Sequence, residues 1–430
     1  MKSLVILGGG TGGTILSNLL SKKLNLQEWS IKVIDSAKEH VYQPGLVFLP
    51  FALYGYKSAA DITKPAGFNV SPEATYISEN IKSVDTSKKE VITDEGNHRY
   101  DILIFALGAE MVTSEVSGLD EAIASKNAYC FYTLESGLEC QTGLRDFKGG
   151  NLVINLADMP VKCPVAPIEF IFLMDYYLHL RGIREKTRII FTTPLTGAFT
   201  KPLASKVFGE IAKAKGIEIV PNFQIKEVDG ANKKIHSYTE QSIDYDLLVS
   251  IPPNIGSNVI DDAGLGDGLG FIEVDNHTLK SKKADDIFAI GDNTSVPTSK
   301  AGSVTHFESE VLVENIIRHI RGAELNPAYD GHSNCFIESG FKKALLIDFN
   351  YTIEPLPGKF PIPVVGPFSL LKESRINHIG KMMFRELYWN HLLKGTIPGE
   401  SLGWSSDKAM ATAENVLTKY KNNIDAFICN

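Results

Sequence analysis

Residues 8–13 read Gly-Gly-Gly-Thr-Gly-Gly and contain the pattern G-x-G-x-x-G directly after an apolar run at residues 3–7. The apolar run is typical of a buried strand in a parallel sheet. A helical pattern follows the glycines through Leu20. This order predicts the first half of a nucleotide-binding βαβ unit, and it disfavours the competing interpretation of a plain glycine-rich turn.

Each fingerprint glycine has its own task in such a unit. Gly8 permits the tight turn, Gly10 lets the backbone approach a pyrophosphate, and Gly13 allows close packing of helix on strand. The pyrophosphate is expected at the helix N-terminus, where free N–H groups point outward. A second strand at residues 31–34 ends at Asp35, whose carboxylate can accept hydrogen bonds from ribose hydroxyls. The fingerprint predicts a dinucleotide but does not separate FAD from NAD.

Strands alternate with helices through most of the chain, which predicts an α/β fold with parallel sheets. We expect two Rossmann-like dinucleotide-binding domains and a C-terminal amphipathic helical region that associates with a membrane. The predicted domains are residues 1–110 plus 265–325, residues 111–264, and residues 326–430. Further strands are predicted at residues 101–107, 152–156, 188–192, 217–220, 247–251 and 287–290, and helices at 166–181, 202–215 and 303–320.

The composition excludes several classes of protein. The chain has 430 residues, of which 43% are hydrophobic, and a formal net charge of −8. This suits a globular protein with a substantial core, and the scattered Lys and Arg residues argue against nucleic acid as a partner. No apolar run is long enough for a membrane-spanning helix, and the N-terminus enters a strand without a secretory signal. We therefore expect the chain in the cytoplasm or on the cytoplasmic face of a membrane.

Two later segments favour FAD over NAD. Residues 101–108 form a strand that ends in Ala-Leu-Gly, and residues 286–292 form a strand that ends in Gly-Asp. These segments resemble the second and third FAD contacts of the two-dinucleotide-domain flavoprotein superfamily. The resemblance implies that the acid of the third contact binds the ribityl chain, and that the next helix points its positive N-terminus at the flavin ring. The cofactor contacts implied are Ala106, Gly108, Gly291 and Asp292, the last of which is otherwise a plain helix N-cap.

The middle domain lacks a second glycine fingerprint. The predicted strand at residues 188–192 is followed by Thr-Pro-Leu-Thr-Gly-Ala-Phe, in which Gly197 is the one glycine and Pro194 has no N–H to donate. This pattern argues for FAD without a nicotinamide partner. Electrons then have to come from a small substrate.

Two cysteines lie far apart in the sequence, each in a polar, Pro- or Gly-rich segment. Cys163 comes directly before a predicted helix and after Lys162, and Cys335 lies in Gly-His-Ser-Asn-Cys-Phe. A helix N-terminus and a lysine would lower the pKa of the Cys163 thiol. From spacing alone, a redox pair and two unrelated thiols are equally acceptable.

The segment Lys162-Cys163-Pro164-Val165-Ala166-Pro167 resembles the active-cysteine motif of sulfide:quinone oxidoreductases, and Asn334-Cys335 resembles the second redox cysteine of that family. Residues 297–300 and 387–395 are also similar to family segments, and the resemblance extends from residue 1 to about residue 400. It implies that sulfide attacks a Cys163–Cys335 disulfide or a longer sulfur bridge, that Cys163 carries the persulfide, and that Cys335 faces the flavin.

The resemblance also assigns three supporting residues. Glu169 would move protons, Lys300 would balance the charge of reduced flavin, and Phe384 would pack on the quinone ring. For Glu169 and Lys300, an exposed helix carboxylate and a solvated loop lysine are equally acceptable. The implied partners are hydrogen sulfide, membrane quinone and a membrane surface, and a homo-oligomer is a further expectation.

The chain departs from the family pattern at several positions. Cys130 is offset by two residues from the family's third cysteine, where Tyr132 stands, so we expect non-covalent FAD. Cys140 is expected in the core, and Cys429 is expected to have no catalytic part. Histidines that some members carry are missing near Ser136 and Gly197, so the proton route is expected to differ.

Residues 368–394 mix apolar and aromatic side chains with cations, a composition that suits an interfacial helix. A break at residues 373–375 predicts two helices there. The interleaved cations are Lys372, Arg375, Lys381, Arg385 and Lys394. A helix pair packed on the protein's own core is the alternative.

Three other functions stay open at this point. A type II NADH:quinone oxidoreductase shares the expected fold and membrane region, but the missing fingerprint and the paired cysteines disfavour it. A flavoprotein sulfide dehydrogenase with a cytochrome partner is usually exported, and no export signal is present. A flavin-stabilised binding or sensing protein is disfavoured by the intact cysteine segments.

Overall fold

The computed structural model describes residues 1–362 and 366–397. Cys429 and the rest of the predicted C-terminal region beyond residue 397 lie outside these residues. Within them, every helix is too short or too polar to cross a bilayer. The helices are α1 (Thr11–Lys23), α2 (Leu119–Ala124), α3 (Leu134–Asp146), α4 (Ala166–Leu180), α5 (Pro202–Ala214), α6 (Asn258–Asp262), α7 (Gly302–Ile320) and α8 (Arg375–Leu387), and a π-helical turn (Tyr388–Leu392) extends α8.

The first large sheet has five parallel strands and carries the fingerprint turn. In spatial order its strands are Ile287–Ala289, Ile102–Phe105, Lys2–Leu7, Trp29–Ile34 and Thr75–Ile77. Every residue of the Ile102–Phe105 strand is buried, as expected for a parallel strand covered on both faces. The expected mixed α/β fold with parallel sheets is therefore confirmed.

The second large sheet is also parallel and has five strands. In order these are Ala128–Tyr129, Leu247–Ile251, Gly150–Leu156, Thr187–Thr192 and Ile217–Val220. Helix α4 crosses from one central strand to the next, as in other βαβ units.

Several antiparallel strands were not predicted from the sequence. Two three-stranded sheets consist of Ile81–Asp85, Glu90–Thr93 and Asn97–Arg99, and of Ile225–Asp229, Lys234–Ser237 and Ser242–Asp244. Two short pairs join Glu39–Val41 to Thr63–Pro65 and Glu110–Met111 to Asn254–Ile255. These strands are short and half-exposed, so their apolar pattern is weak.

The C-terminal region differs from the predicted pair of helices. It contains a four-stranded sheet in the order Ser333–Gly340, Lys343–Phe349, Gly366–Leu370 and Gly358–Ile362, followed by α8 alone. The first predicted helix was wrong, because residues 366–370 pair as a strand with residues 358–362. A run of three or four apolar residues does not by itself distinguish a strand from a helix.

Helix α8 packs on this sheet through Gly380. A side chain there would overlap the rings of Phe336 and Phe368, so glycine permits the close contact. The π-helical turn reaches back to the fingerprint turn, since the Tyr388 hydroxyl lies 2.8 Å from Oγ1 of Thr11. The C-terminal region is thereby held against the fingerprint turn, and α8 is held against the strand that carries Cys335.

Two glycines in helices of the second large sheet form a matched pair for testing the packing. A methyl group at Gly209 in α5 would meet no heavy atom within 4 Å, whereas one at Gly143 in α3 would overlap the ring of Tyr129. We expect Gly209→Ala to raise the free energy of unfolding by about 0.5–1 kcal/mol, because alanine loses less backbone entropy. Gly143→Ala should lower it by about 1 kcal/mol or more through overpacking. Urea unfolding checks both, and a stabilising Gly143→Ala would contradict the packing of α3.

Candidate functional site

The fingerprint turn leaves no room for side chains where the strand and helix meet. Gly8 has a φ of 101°, and a side chain on it would overlap the carbonyl of Ala106. A side chain on Gly13 would overlap the carbonyl of Gly8. Above Gly10, by contrast, a methyl group would meet nothing within 4 Å. The turn therefore packs tightly inward and is open on the side where a ligand would approach.

The N-terminus of α1 has no side-chain cap and no acidic residue in its first turn. Asp35 lies beside it, accepting hydrogen bonds from the N–H of Gly9 at 2.6 Å and the N–H of Ala37 at 2.7 Å. An uncapped helix N-terminus next to open space can receive a phosphate group.

The ends of two parallel strands meet beside this turn. Asn293 accepts a hydrogen bond from the N–H of Leu107 at 2.5 Å, which ties the segment after Phe105 to the segment after Ala289. Gly108 has a φ of 73° and open space around it. Asp292 lies in a 3-10 turn, and α7 begins only at Gly302, so Asp292 is not the N-cap of that helix.

The Asp292 carboxylate is half-buried and makes no hydrogen bond to any residue in the described part of the chain. Burial raises its pKa, and the charges of Lys300 and Lys162 oppose this. Lys300 donates to the carbonyls of Asp292 and Thr294 at 2.7 and 2.9 Å, so it is not a solvated loop lysine. An unpartnered carboxylate in such a place is suited to accept hydrogen bonds from a bound polyol.

Sequence reasoning missed Glu308 on α7. It is fully buried, and its Oε2 accepts a hydrogen bond from the N–H of Gly291 at 2.7 Å. Burial raises the pKa of Glu308 to about 8. The sequence offers little signal for it, because the buried face of α7 also carries Thr305, His306, Ser309 and Asn315.

These features fit a bound dinucleotide such as FAD. The tight turn, the open space above Gly10, the uncapped helix and the unpartnered Asp292 all lie along one line of strand ends. The strand ends of a parallel sheet are the usual place for such a ligand.

The fold brings the two distant cysteines into one site. Lys381 donates both to Glu169, on the helix that begins three residues after Cys163, and to the carbonyl of Phe336, next to Cys335, and the charge of Cys335 contributes to raising the pKa of Cys163. Cys163 has a φ of 48°, and its N–H donates to the carbonyl of Lys300 at 2.6 Å, which joins it to the segment after Asp292. Cys335 lies on the Ser333–Gly340 strand opposite Ile347. Both residues are free cysteines.

A buried ion pair adjoins the two thiols. Nζ of Lys381 lies 2.9 Å from Oε1 of Glu169 and donates to the carbonyl of Phe336 at 2.8 Å. The N–H of Glu338 donates to the same Oε1 of Glu169 at 3.0 Å. Glu169 is 1% exposed, so the interpretation of an exposed helix carboxylate was wrong.

Lys381 was wrongly grouped with the surface cations of the C-terminal region. It is 9% exposed and points inward, while the exposed apolar side chains of α8 form a stripe on the opposite face. The stripe consists of Ile376, Ile379, Met383 and Leu387. Helical spacing from this stripe could have identified Lys381 as an inward residue, because it lies at least a third of a turn from every stripe position.

The expected low pKa of Cys163 was also wrong. Burial raises the pKa of Cys163, with further contributions from Cys335 and Glu169, and raises the pKa of Cys335 to about 11. Burial also lowers the pKa of Lys162. Desolvation therefore outweighs the helix N-terminus and the neighbouring lysine, and Lys381 is the main group that lowers the pKa of both thiols.

The ion pair itself is strongly coupled. Burial raises the pKa of Glu169, and Lys381 opposes this. For Lys381, burial works against the charged form, but Glu169 and the two cysteines outweigh it, so its pKa is raised. Lys381 therefore stays protonated and provides the positive charge at the thiols.

Phe384 is half-buried at the edge of an aromatic cluster on the inner side of α8. Its ring centre lies 6.5 Å from that of Tyr42, which stacks with Tyr56 at 6.3 Å. Lys381 connects this cluster to the thiols, since its Nζ lies 5.5 Å from the centre of the Phe48 ring.

The remaining described cysteines lie in the core. Cys130 is 2% exposed, and its Sγ contacts Sδ of Met111 at 3.0 Å. Cys140 is fully buried in α3, as expected from the sequence.

In the second large sheet, the loop after the Thr187–Thr192 strand is packed by its own side chains. Ala198 and Phe199 are buried, and the Phe199 ring packs on Phe208 at 5.6 Å. The N–H of Phe199 donates to Oγ of Ser205 at 3.2 Å, and Pro202 takes the first turn of α5. These contacts use the N–H of Phe199, and Pro202 has none to donate, so this loop offers few donors to a second pyrophosphate, although a cavity of about 650 Å³ lined in part by Gly197, Ala198 and Pro202 adjoins it.

The site therefore has the form of a flavoprotein of the two-dinucleotide-domain type with a cysteine pair. No family model matches the chain. It is 29% identical to the mitochondrial sulfide:quinone oxidoreductase of Dictyostelium discoideum, over 91% of this chain and 86% of that protein. It is 26% identical to the mitochondrial sulfide:quinone oxidoreductase of Mus musculus, with the same coverage of both chains.

The structural comparison agrees with these similarities. The crystal structure of the sulfide:quinone oxidoreductase of Aquifex aeolicus superposes with a TM-score of 0.75 at 21% identity, covering 98% of this chain and 95% of that one. A type II NADH:quinone oxidoreductase of Staphylococcus haemolyticus is similar over only 28% of this chain. The resemblance to sulfide:quinone oxidoreductases that the cysteine segments indicated is confirmed.

The charge of Lys381 should control the reactivity of Cys335. Because the pKa of Cys335 is about 11, its alkylation by iodoacetamide in reduced protein should rise about tenfold per pH unit from pH 7 to 10, as the thiolate fraction grows. Lys381→Met should slow alkylation severalfold at each pH, because the pKa rises further. Peptide mass spectrometry follows Cys335 by itself. The exposed Lys394→Met is the control, and an unchanged or faster rate in Lys381→Met would contradict the assignment.

Proposed function

We propose that the chain is an FAD-dependent sulfide:quinone oxidoreductase. The observation that carries this proposal is the buried Lys381–Glu169 pair, which joins the helix after Cys163 to the carbonyl next to Cys335, while the Cys163 N–H donates to Lys300 in the segment after Asp292. The similarity to named sulfide:quinone oxidoreductases over nine-tenths of the chain supports it.

The proposed FAD would lie along the strand ends of the first large sheet. Gly8, Gly10 and Gly13 would admit the diphosphate, Asp35 would accept from the ribose, and Asp292 would accept from the ribityl chain. Ala106, Gly108 and Gly291 would line its path, and Lys300 would add positive charge near the ring. FAD supplies the site with an acceptor for two electrons that can pass them to quinone. Buried Cys130, in contact with Met111, supports the proposal of non-covalent binding.

The two cysteines would perform the sulfur chemistry. In the oxidised enzyme, HS⁻ attacks the Cys163 sulfur of a Cys163–Cys335 disulfide, so that one S–S bond breaks and another forms. Cys163 becomes a persulfide, and Cys335 leaves as a thiolate. Closing the bridge again as a trisulfide releases one proton and two electrons to the cofactor. The sulfur is then available to an acceptor.

Lys381 and Glu169 have distinct tasks in this scheme. The ammonium group of Lys381 stabilises the Cys335 thiolate, which burial otherwise disfavours. Burial raises the pKa of Glu169, which favours the uptake of a proton by its carboxylate within the site.

Quinone would bind on the inner side of α8 beside Phe384. Ile376, Ile379, Met383 and Leu387 are 38–57% exposed and form one apolar stripe on the outer face of the same helix. Arg375, Lys372 and Lys394 are exposed near its ends. An exposed apolar stripe beside cations suits the surface of an anionic membrane. We therefore propose that the chain is a peripheral membrane protein. Its position on the cytoplasmic face, the domain boundaries given above and a homo-oligomeric state are further predictions.

NADH is disfavoured as the electron donor. The loop after the Thr187–Thr192 strand lacks a glycine fingerprint, its Phe199 N–H already donates to Ser205, and Pro202 has no N–H. A sulfide dehydrogenase with a cytochrome partner remains the second candidate for the same cysteine chemistry, although α8 provides an apolar surface that favours a lipid-soluble acceptor.

Sulfide should bleach the flavin of the purified protein, and decylubiquinone should restore its colour. Cys163→Ser and Cys335→Ser should each lower the sulfide-dependent bleaching rate at least 100-fold, because neither variant can form the sulfur bridge. Cys140→Ser is the control, since Cys140 lies in the core of α3. Stopped-flow absorbance measures all variants. Full activity in either redox-cysteine variant would remove this mechanism, and bleaching by NADH but not by sulfide would support the type II enzyme instead.

The apolar stripe of α8 should bind anionic vesicles. Ile379→Glu should weaken co-flotation with phosphatidylglycerol vesicles about tenfold, because it places a charge at the centre of the stripe. Leu269→Glu is the matched control, since Leu269 is 55% exposed and Ile379 is 54% exposed. Equal flotation of the two variants would show that α8 is not the binding surface. Sulfide-dependent bleaching should be unchanged in both.

A further inference from the structure

A hydrogen-bonded pair of residues lies between the buried Glu169 and the outer surface of α8. The Glu338 carboxylate is fully buried, and its Oε2 lies 2.8 Å from Nδ1 of His378. The Tyr54 hydroxyl donates to its Oε1 at 3.1 Å. The backbone N–H of Glu338 donates to Glu169, so the residue that carries this carboxylate directly contacts the Lys381–Glu169 ion pair.

His378 connects the Glu338 carboxylate to the surface of α8. The histidine lies on α8 directly before the exposed Ile379, and its side chain is 13% exposed. Its Nδ1 faces Glu338, which leaves Nε2 for exchange with solvent or a bound acceptor. The pair therefore joins the interior next to Lys381 and Glu169 to the surface proposed to meet the membrane.

The reaction proposed above requires protons at this place. HS⁻ gives up two electrons and one proton when its sulfur enters the bridge. Quinone takes two electrons and two protons to become quinol. One proton per turnover must therefore enter from solvent, and the site that receives it is buried.

We infer that Glu338 and His378 deliver protons from solvent to the quinone side of the site. This inference rests on the proposed function and names the proton route for it. Protonated His378 passes a proton from Nδ1 to the Glu338 carboxylate, and the resulting carboxyl group passes it to the reduced quinone on the inner side of α8 and becomes a carboxylate again. His378 then recovers a proton at Nε2 from solvent. Each transfer breaks one N–H or O–H bond and forms another, so no further reactant is needed.

The groups around the pair fit this task. Burial, together with the charge of Glu338, raises the pKa of Tyr54, so Tyr54 stays protonated and only orients the carboxylate. Tyr176 on α4 stacks with Tyr54 at 6.4 Å, and Lys342 adjoins Tyr54 through a backbone hydrogen bond. On the inner side, the charged groups are Glu169 and Lys381. The Glu338 carboxylate therefore has one partner, His378, that can exchange a proton with it, and one, Tyr54, that holds it in place.

The test measures reoxidation of the reduced holoenzyme by decylubiquinone in a stopped-flow instrument. Glu338→Gln and His378→Asn should each slow reoxidation on the order of 10- to 100-fold, a typical loss for a proton-transfer group. They should leave the rate of sulfide-dependent bleaching within about twofold of wild type, because that step depends on the charge of Lys381, which both variants keep. Both variants should show a larger solvent deuterium isotope effect, and added imidazole should restore part of the His378→Asn rate.

A second histidine–carboxylate pair supplies the matched control. Nε2 of His98 lies 2.6 Å from Glu79, and the two side chains are 16% and 18% exposed, in the small sheet of residues 81–99. His98→Asn and Glu79→Gln should change neither the reoxidation rate nor its isotope effect. Glu338→Asp, which keeps a carboxylate, should retain more activity than Glu338→Gln.

Three outcomes would overturn the inference. The first is an unchanged reoxidation rate in both His378→Asn and Glu338→Gln. The second is an equal slowing of bleaching and reoxidation, which a purely structural role would give. The third is slowing without any change in isotope effect or response to imidazole. If Glu338→Gln does not fold, His378→Asn and Glu338→Asp decide the question. Chemical reduction of the flavin starts the experiment without sulfide, so failure of the proposed sulfide activity is recognised separately.

Discussion

The arrangement of the candidate site depends on the ion pair between Lys381 and Glu169. Its two charges are almost fully buried, on two helices from different regions of the chain, and they are 2.9 Å apart. Removing one partner of such a pair typically costs about 3–5 kcal/mol, because the other charge is left buried and alone. The pair therefore fixes α8 against α4, and it places a positive charge beside two thiols that burial would otherwise keep protonated.

This constraint gives α8 two separate faces. Its inner face carries Lys381 and Phe384 toward the thiols and the aromatic cluster, and its outer face carries an apolar stripe that no described residue covers. A helix with these two faces can hold a lipid-soluble acceptor close to the redox site while the protein stays on the membrane surface. Glu338 and His378 lie at the boundary between these faces, where the inferred proton route would pass.

The proposed FAD site at the strand ends of the first large sheet depends on a different constraint, which is the absence of side chains at three glycines. Gly8 and Gly13 contact backbone atoms that any larger residue would displace, and Gly10 leaves open space above an uncapped helix. Asn293 then ties the ends of two strands together, so that Asp292 faces the same space. The N–H of Cys163 donates to the carbonyl of Lys300, in the segment that follows Asp292. This bond places the proposed sulfur chemistry next to the proposed flavin position.

The sequence by itself determined the parallel α/β fold, the fingerprint turn and the identity of the two cysteines, because these depend on local patterns and short motifs. It did not determine the four-stranded sheet of the C-terminal region, since a short apolar run such as residues 366–370 suits either helix or strand. It also assigned Lys381 to the surface and a low pKa to Cys163. Only the tertiary structure decided these points, because burial and the partner of a charge depend on residues such as Glu169 and Glu338 that are distant in the chain. A pKa follows from that surrounding protein, and the residue type sets only its starting value.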